Sequence, residues 1–163
     1  MKKTIILIFA LCLTGITNAQ EIADHAIGLR LGDSDGMGAE VSYQHKLGET
    51  NRLEADLGWR SSKHVDAFKL TGLYQWVWNI DGNFNWYAGA GGGLGSWSYN
   101  QTIAGEKFKD NGTFFFAAGD VGIEYNFDFP LLLSLDIRPE LGFTKEYRDD
   151  LDLDIAIGAR YQF

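Results

Sequence analysis

The residues that could perform acid-base or nucleophilic chemistry are few in this chain. It has three histidines, His25, His45 and His64, and only His64 has a nucleophile and an acid nearby, at Ser61 and Asp66. A serine, a histidine and an acid can form a hydrolytic triad, but this spacing matches no triad motif and is typical of a polar loop. We expect the other two histidines at one rim of the fold, and no three histidine or carboxylate ligands occur together for a metal. The sequence therefore predicts neither a catalytic nor a metal site.

A glycine-rich run raises the question of a nucleotide cofactor. Residues 89–95 read Gly-Ala-Gly-Gly-Gly-Leu-Gly. Leu94 takes the place of the final glycine in the dinucleotide-binding motif, and no helical pattern follows it. Glycines inside a strand more often make room for large side chains opposite them. We therefore expect no cofactor.

Charged residues of both signs recur at alternate positions along much of the chain. One interpretation is a catalytic or transport pathway, and the other is the polar interior of a β-barrel, where each buried charge needs an opposite partner. We favour the second, and the pair Asp152 and Asp154 cannot be assigned acid and base roles from sequence. The predicted network of charges inside the barrel consists of Arg30, Glu54, Asp56, Arg60, Lys69, Asp120, Glu124, Asp136, Arg138, Glu140, Asp152, Asp154 and Arg160.

The N-terminus has the pattern of a secretory leader. Lys2 and Lys3 precede an apolar run from Ile5 to Leu13, and small residues end at Ala19. We predict a signal peptide over residues 1–19 and a single mature domain over residues 20–163. Cys12, the only cysteine, lies within the leader, so the mature chain has neither disulfides nor thiol chemistry.

The net charge of the mature chain argues against a nucleic acid partner. Of 14 basic and 22 acidic residues, the leader removes two lysines, which changes the net charge from -8 to -10. Such a charge repels phosphates, and no basic stripe is present.

Apolar residues alternate with polar ones in eight separate runs, whereas no stretch has helical spacing. The last two runs exceed ten residues, enough to cross a bilayer when tilted, and Leu73 and Val77 break the alternation of the fourth. The pattern predicts an all-β protein, an eight-stranded antiparallel up-and-down transmembrane β-barrel. The predicted strands cover residues 27–31, 40–47, 53–60, 68–78, 84–97, 114–127, 131–143 and 151–163.

The connections alternate between short turns and longer polar segments. The predicted short turns cover residues 47–51, 79–83 and 128–130, and the longer segments cover residues 32–38, 61–66, 98–112 and 144–150. Outer-membrane barrels have short periplasmic turns and longer outside loops. We therefore expect both termini on the periplasmic side.

The placement of aromatic residues favours a membrane barrel over a water-soluble ligand-binding one. Aromatic residues concentrate at the predicted strand ends, as in the belts at the two interfaces of a bilayer, and a narrow eight-stranded interior could not hold so many rings. The predicted periplasmic belt consists chiefly of Trp76, Trp78, Phe84, Trp86, Tyr125 and Phe127.

The mature chain resembles the small OmpA/OmpX-type outer-membrane barrels of Gram-negative bacteria over its whole length. The most specific feature is the final strand ending Ala-Arg-Tyr-Gln-Phe at Phe163. The resemblance implies that Tyr161 and Phe163 form the signal recognised by the barrel-assembly machinery. It also implies outer-membrane lipid as surroundings and no peptidoglycan-binding domain.

We expect a structural or interaction protein of the outer membrane with a closed lumen. Its outside loops, chiefly Tyr99 to Asn111, would be the contact surface for a protein partner. A narrow porin-like channel, an accessory subunit docked through its lipid face, and a lipid-modifying enzyme remain alternatives.

Overall fold

The computed structural model describes residues 22–32, 38–61, 65–103, 106–143 and 151–163. The predicted leader lies outside these residues, as do most of the predicted loops over 32–38 and 144–150. No helix in the described ranges is long and apolar enough to cross a membrane. The strands are β1 (His25–Leu31), β2 (Glu40–Lys46), β3 (Asn51–Ser61), β4 (Val65–Asp81), β5 (Phe84–Ile103), β6 (Glu106–Asn126), β7 (Leu131–Gly142) and β8 (Leu151–Gln162).

These eight strands form a closed barrel in chain order, with every neighbouring pair antiparallel. The barrel closes where β1 pairs with β8, from Ala26 opposite Gln162 to Leu31 opposite Ile157. Closure leaves no unpaired sheet edge in the wall, which a barrel needs in lipid. The predicted fold class is confirmed.

The three predicted short turns lie at one end of the barrel, together with the first and last strand ends. The tightest joins β4 to β5, where Asp81 pairs with Phe84 and Gly82 has a φ of 52°. A two-residue hairpin turn favours glycine because it requires a positive φ.

Strand β6 continues ten residues beyond its last pair with β7, and β5 continues four residues beyond its last pair with β4, Tyr99 opposite Val65. Pairing of β6 with β7 ends at Phe116 opposite Gly142, whereas pairing with β5 continues to Glu106 opposite Ile103. The prediction of a loop over residues 98–112 is therefore wrong, because most of it is hairpin. A hairpin that projects from the wall need not bury either face, so its sequence has no apolar alternation to reveal it.

The barrel is polar inside and apolar outside. Ile155 and Ile157 on the outer face are 59% and 60% exposed, while Arg138 on the inner face is fully buried. A water-soluble protein rarely leaves so large a contiguous apolar surface uncovered, whereas a bilayer requires it. The outer surface is thus suited to lipid.

Not every inward residue is polar. Leu73 and Val77, which break the alternation of the fourth predicted strand, point inward and are buried. The ring of Phe116 lies over Gly93 of β5, where a Cβ would come within 2.4 Å of the ring. The ring of Tyr87 lies over Gly122 in the same way, at 2.5 Å. Glycines in the wall therefore make room for aromatic rings in the lumen, as the sequence suggested for this run.

Candidate functional site

The barrel interior is the candidate functional site, because nearly all its buried charge lies there. In the described residues, five buried basic side chains face eight buried carboxyl groups, three more acidic groups than basic ones. The cations are Arg30, Arg52, Lys69, Arg138 and Arg160, and the carboxylates are Glu40, Glu54, Asp56, Asp120, Glu124, Asp136, Glu140 and Asp154.

Arg138 of β7 lies at the centre of this network. Its Nη2 donates to Asp56 Oδ2 at 2.7 Å and to Glu54 Oε1 at 3.1 Å. Its Nη1 lies 3.4 Å from Glu40 Oε2. One guanidinium thus connects β7 to β2 and β3 across the lumen, and the fork of donors suits such multiple contacts.

A second arginine, Arg30 of β1, contacts carboxylates on three other strands. Its guanidinium donates to Asp136 on β7 and to Asp154 on β8, and its Nη1 lies 3.1 Å from Glu40 Oε2. Glu40 therefore links the Arg30 and Arg138 groups into one network. Charges that satisfy one another in this way can be buried at far lower cost than isolated ones.

Two more arginines extend the network along the lumen. Arg160 Nη2 lies 3.2 Å from Glu54 Oε1, and its other nitrogens donate to Ser42 and Ser134 at 2.8 Å each. Arg52 Nη2 donates to Glu124 Oε2 at 2.7 Å. Arg52 was missed in the sequence because the third predicted strand began at Leu53. Extending the alternation back by one residue would have included it.

Asp120 differs from the other buried carboxylates because it has no ion pair with a described residue. Its one polar contact with another described residue is a hydrogen bond from Gln75 Nε2, and its Oδ1 has no partner among those residues. Gln75 also donates to Glu54 at 3.2 Å and accepts from Arg52 Nε at 2.6 Å. An amide thus connects Asp120 to the network in place of a cation.

Apolar side chains cover the charged interior toward the projecting hairpin. Phe114, Phe116, Leu73 and Ala118 form one buried cluster, with Trp97 packed against it. Beside it, Lys69 Nζ donates to Glu140 at 2.7 Å and lies 5.0 Å from the centre of the Phe116 ring. The ring and the ammonium attract each other, so the cluster and the charge network are packed as one unit.

At the opposite end, the segment before β1 crosses the barrel mouth. Ile22 packs against Val77 of β4 and Tyr87 of β5, although β1 itself pairs only with β2 and β8. Ile22 is 8% exposed. The interior is thus covered by apolar side chains at both ends.

Two members of the predicted network are placed differently from the rest. The side chain of Arg60 lies outside what the structure describes, although its backbone pairs with Ala67 in the wall. Asp152 is half-buried opposite Glu140 on β7. The other eleven predicted members lie inside the barrel and are buried.

The six predicted belt residues lie at the short-turn end of neighbouring strands, and five of them contact another member of the set. Trp78 stacks on Trp86 with ring centres 4.4 Å apart. Tyr125 contacts Phe84 and Phe127, each at 4.7 Å. Trp76 lies on the same outer face and is 42% exposed. The rings therefore lie in separate groups at one level of the outer face, which is where interfacial aromatic residues are found.

The two residues of the predicted assembly signal project outward from the last strand. Tyr161 and Phe163 are 57% and 60% exposed. The backbone of Phe163 exchanges hydrogen bonds with His25 at 2.9 and 3.0 Å. The terminal ring is therefore accessible on the outer face of the β1 and β8 seam.

The geometry gives little support to the alternative of a lipid-modifying enzyme. Ser61 donates to Asp66 at 2.7 Å, but His64 lies outside the described residues. Within the described part of the chain, no group of three histidine, cysteine or acidic residues is arranged to hold a metal ion.

No protein-family model and no curated protein matches the sequence. Solved structures do match it in fold. The N-terminal β-barrel domain of Pseudomonas aeruginosa OprF has a TM-score of 0.62 at 13% identity, covering 85% of this chain and 96% of that one. Neisserial surface protein A has a TM-score of 0.60 at 14% identity, covering 86% and 94%.

Ail, the attachment invasion locus protein of Yersinia pestis, has a TM-score of 0.51 at 17% identity, covering 85% of this chain and 96% of that one. A de novo designed transmembrane β-barrel is also similar, with a TM-score of 0.57 at 15% identity. Identities this low establish a common fold and nothing finer. The chain has the fold of the eight-stranded outer-membrane β-barrels.

Proposed function

From this fold, we propose that the protein is a structural or interaction protein of the bacterial outer membrane, with a lumen closed to solutes and both termini in the periplasm. The observation that supports it most is the packed interior, where four buried arginines and a lysine are paired with carboxylates between two apolar ends. Eight strands leave room for little more than side chains. The function then depends on the outer surfaces.

The lengths of the connections support the proposed orientation. The short turns and the strand ends at His25 and Phe163 share one end of the barrel, and the long hairpin lies at the other. Short periplasmic turns with longer outside segments are the usual arrangement. The proposed contact surface is therefore the β5–β6 hairpin, whose residues 106–115 provide about 30 Å of strand beyond the last β6–β7 pair.

Planar-bilayer recording of refolded protein tests the closed lumen. We expect no long-lived conductance steps from the wild type or from Leu135→Ala, a matched control that changes only the lipid-facing surface. Reproducible steps whose ion selectivity changes in Arg138→Ala would instead support the channel alternative. The surplus of buried carboxylates would make such a channel prefer cations.

Shortening the hairpin tests the contact surface. Residues 100–109 are replaced by Asn-Gly, which leaves the Tyr99 and Asp110 pair to close a two-residue turn. In pull-downs from mildly solubilised outer membranes, proteins that bind the wild type and Leu135→Ala should be lost from the shortened variant. Retention of the same proteins would overturn the hairpin as the contact surface and leave the other outside loops or the lipid face, the latter being the accessory-subunit alternative.

A further inference from the structure

Two histidines face each other on the outer surface of the barrel, at the short-turn end. His25 of β1 lies directly opposite His45 of β2, with their Nδ1 atoms 3.4 Å apart. The hydroxyl of Tyr43, two residues before His45 on the same face, lies 2.8 Å from His25 Nδ1. Three side-chain donor atoms therefore converge on the outside of the β1–β2 pair.

The three side chains pack as rings, with His25 stacked on His45 at 5.0 Å and on Tyr43 at 6.1 Å between ring centres, but they differ in chemistry from the apolar rings of this end. Other strands place aromatic rings near this end, such as Trp78 against Trp86, whereas β1 and β2 place imidazoles. His25 is half-buried and His45 is exposed, and neither has a carboxylate partner among the described residues. The nearby Asp24 instead pairs with Lys46 at 3.7 Å.

The spacing of the donor atoms suits a metal ion. Zinc binds imidazole nitrogen at about 2.0–2.1 Å, so two ligands at the corners of a tetrahedron are about 3.3 Å apart. The two Nδ1 atoms are already at that separation, 3.4 Å. Because the two rings stack at an angle of 20°, one imidazole has to rotate about its Cβ–Cγ bond so that both nitrogen lone pairs point at the same ion. The Tyr43 oxygen is somewhat closer to His25, so this side chain, which is 38% exposed, has to move outward to join the site.

We propose that His25, His45 and Tyr43 form a binding site for a divalent late transition-metal ion such as Zn²⁺ or Cu²⁺, with water in the remaining position. Imidazole nitrogen favours these ions over Ca²⁺ and Mg²⁺, which require oxygen ligands. The group falls outside the usual sets of three histidine, cysteine or acidic ligands because its third donor is a phenol. In the sequence, His25 and His45 are 20 positions apart and were expected only as rim residues.

A bound ion would connect β1 to β2 beside the seam where the barrel closes. The backbone of His25 is hydrogen-bonded to Phe163, whose ring stacks on the His25 imidazole at 5.4 Å. An ion that needs both histidines in register binds the folded barrel and not the unfolded chain. Binding should therefore stabilise the folded barrel.

Titration calorimetry with ZnCl₂ tests the site, using mature protein without a histidine tag, refolded in non-chelating detergent. We expect one Zn²⁺ per barrel. His25→Ala and His45→Ala should each weaken binding by at least about tenfold, the loss that even an outer-shell change can produce. Tyr43→Phe should weaken it less, and His64→Ala, the control, should leave it unchanged. Heat-modifiable gel mobility shows that each variant is folded.

The ligands themselves can be counted with Cu²⁺. The electron paramagnetic resonance spectrum of the bound ion should show coupling to two imidazole nitrogens in the wild type and to one in either histidine variant. Zinc binding unchanged in the double variant His25→Ala/His45→Ala would overturn the proposal. So would the absence of binding at millimolar Zn²⁺, or displacement of the ion by Ca²⁺.

Discussion

Replacing Arg138 with methionine removes the central cation of the lumen while keeping most of its apolar volume. Of its three carboxylate partners, Glu54 retains Arg160 at 3.2 Å and Glu40 retains Arg30 at 3.1 Å. Asp56 has no other cation among its described contacts. The change therefore leaves one buried carboxylate without its partner and weakens two others. Breaking one buried pair costs about 3–5 kcal/mol, so we expect a loss of this size in the free energy of unfolding.

Equilibrium unfolding of the barrel from lipid vesicles by urea, followed by fluorescence of its five tryptophans, measures this loss. The matched control is Asp120→Asn, because Asp120 receives its hydrogen bond from Gln75 and has no ion pair with a described residue. An asparagine oxygen can still accept that bond, so the control should lose less than about 1 kcal/mol.

A double variant separates charge imbalance from lost packing. Adding Asp56→Asn to Arg138→Met removes the carboxylate that lost its partner, and we expect it to recover most of the loss. The reasoning is refuted if Arg138→Met costs under about 1 kcal/mol, or if Asp120→Asn is as harmful as Arg138→Met. A double variant that loses the sum of both single effects would also contradict it.

Three further predictions concern the wall, its packing and its assembly. Arginine at lipid-facing Leu135, Ile155 or Ile157 should cost about 2–4 kcal/mol in vesicle unfolding, and tolerance of all three would contradict the assignment of the outer face. Gly122→Ala should destabilise the barrel, because the new Cβ would lie 2.5 Å from the Tyr87 ring. Gly72→Ala should not destabilise the barrel, because a Cβ there meets nothing within 4 Å. If the two variants unfold at the same urea concentration, the packing argument is wrong. Deletion of Phe163 should lower the folded fraction in purified outer membranes, measured by heat-modifiable mobility, while unchanged levels would argue against a role in assembly.

The alternation of side chains was enough to predict eight strands, their order and their short turns. A strand that separates lipid from a polar interior must alternate, and β7 and β8 do so without a break. The projecting part of β5 and β6 was missed because a hairpin that extends beyond the wall need not bury either face, so its sequence need not alternate. Leu73 and Val77 break the alternation of β4 because they point inward, where each belongs to an apolar cluster in the lumen.

Contacts across the lumen could not be predicted in the same way. Arg30 reaches Asp136, 106 positions away, and Arg52 reaches Glu124, 72 positions away. Such pairs depend on the barrel's closure and stagger, which no local pattern encodes. The two histidines are likewise 20 positions apart and meet only through the register of β1 on β2. Similarly, the rings of Tyr87 and Phe116 fit inside only because glycines face them across neighbouring strands.

The central claim is that lipid contacts one face of each strand while the other face lines a packed polar interior. A single-cysteine scan of β8 tests it directly, since the only native cysteine, Cys12, lies in the predicted leader. Cysteines at positions 151–158 would each carry an environment-sensitive fluorophore, with the protein refolded in vesicles that contain a lipid-phase quencher. The account predicts quenching with a period of two, strong at Leu153, Ile155 and Ile157 and weak at Asp154 and Ala156. Strong quenching at the even positions, or none at any position, would contradict it.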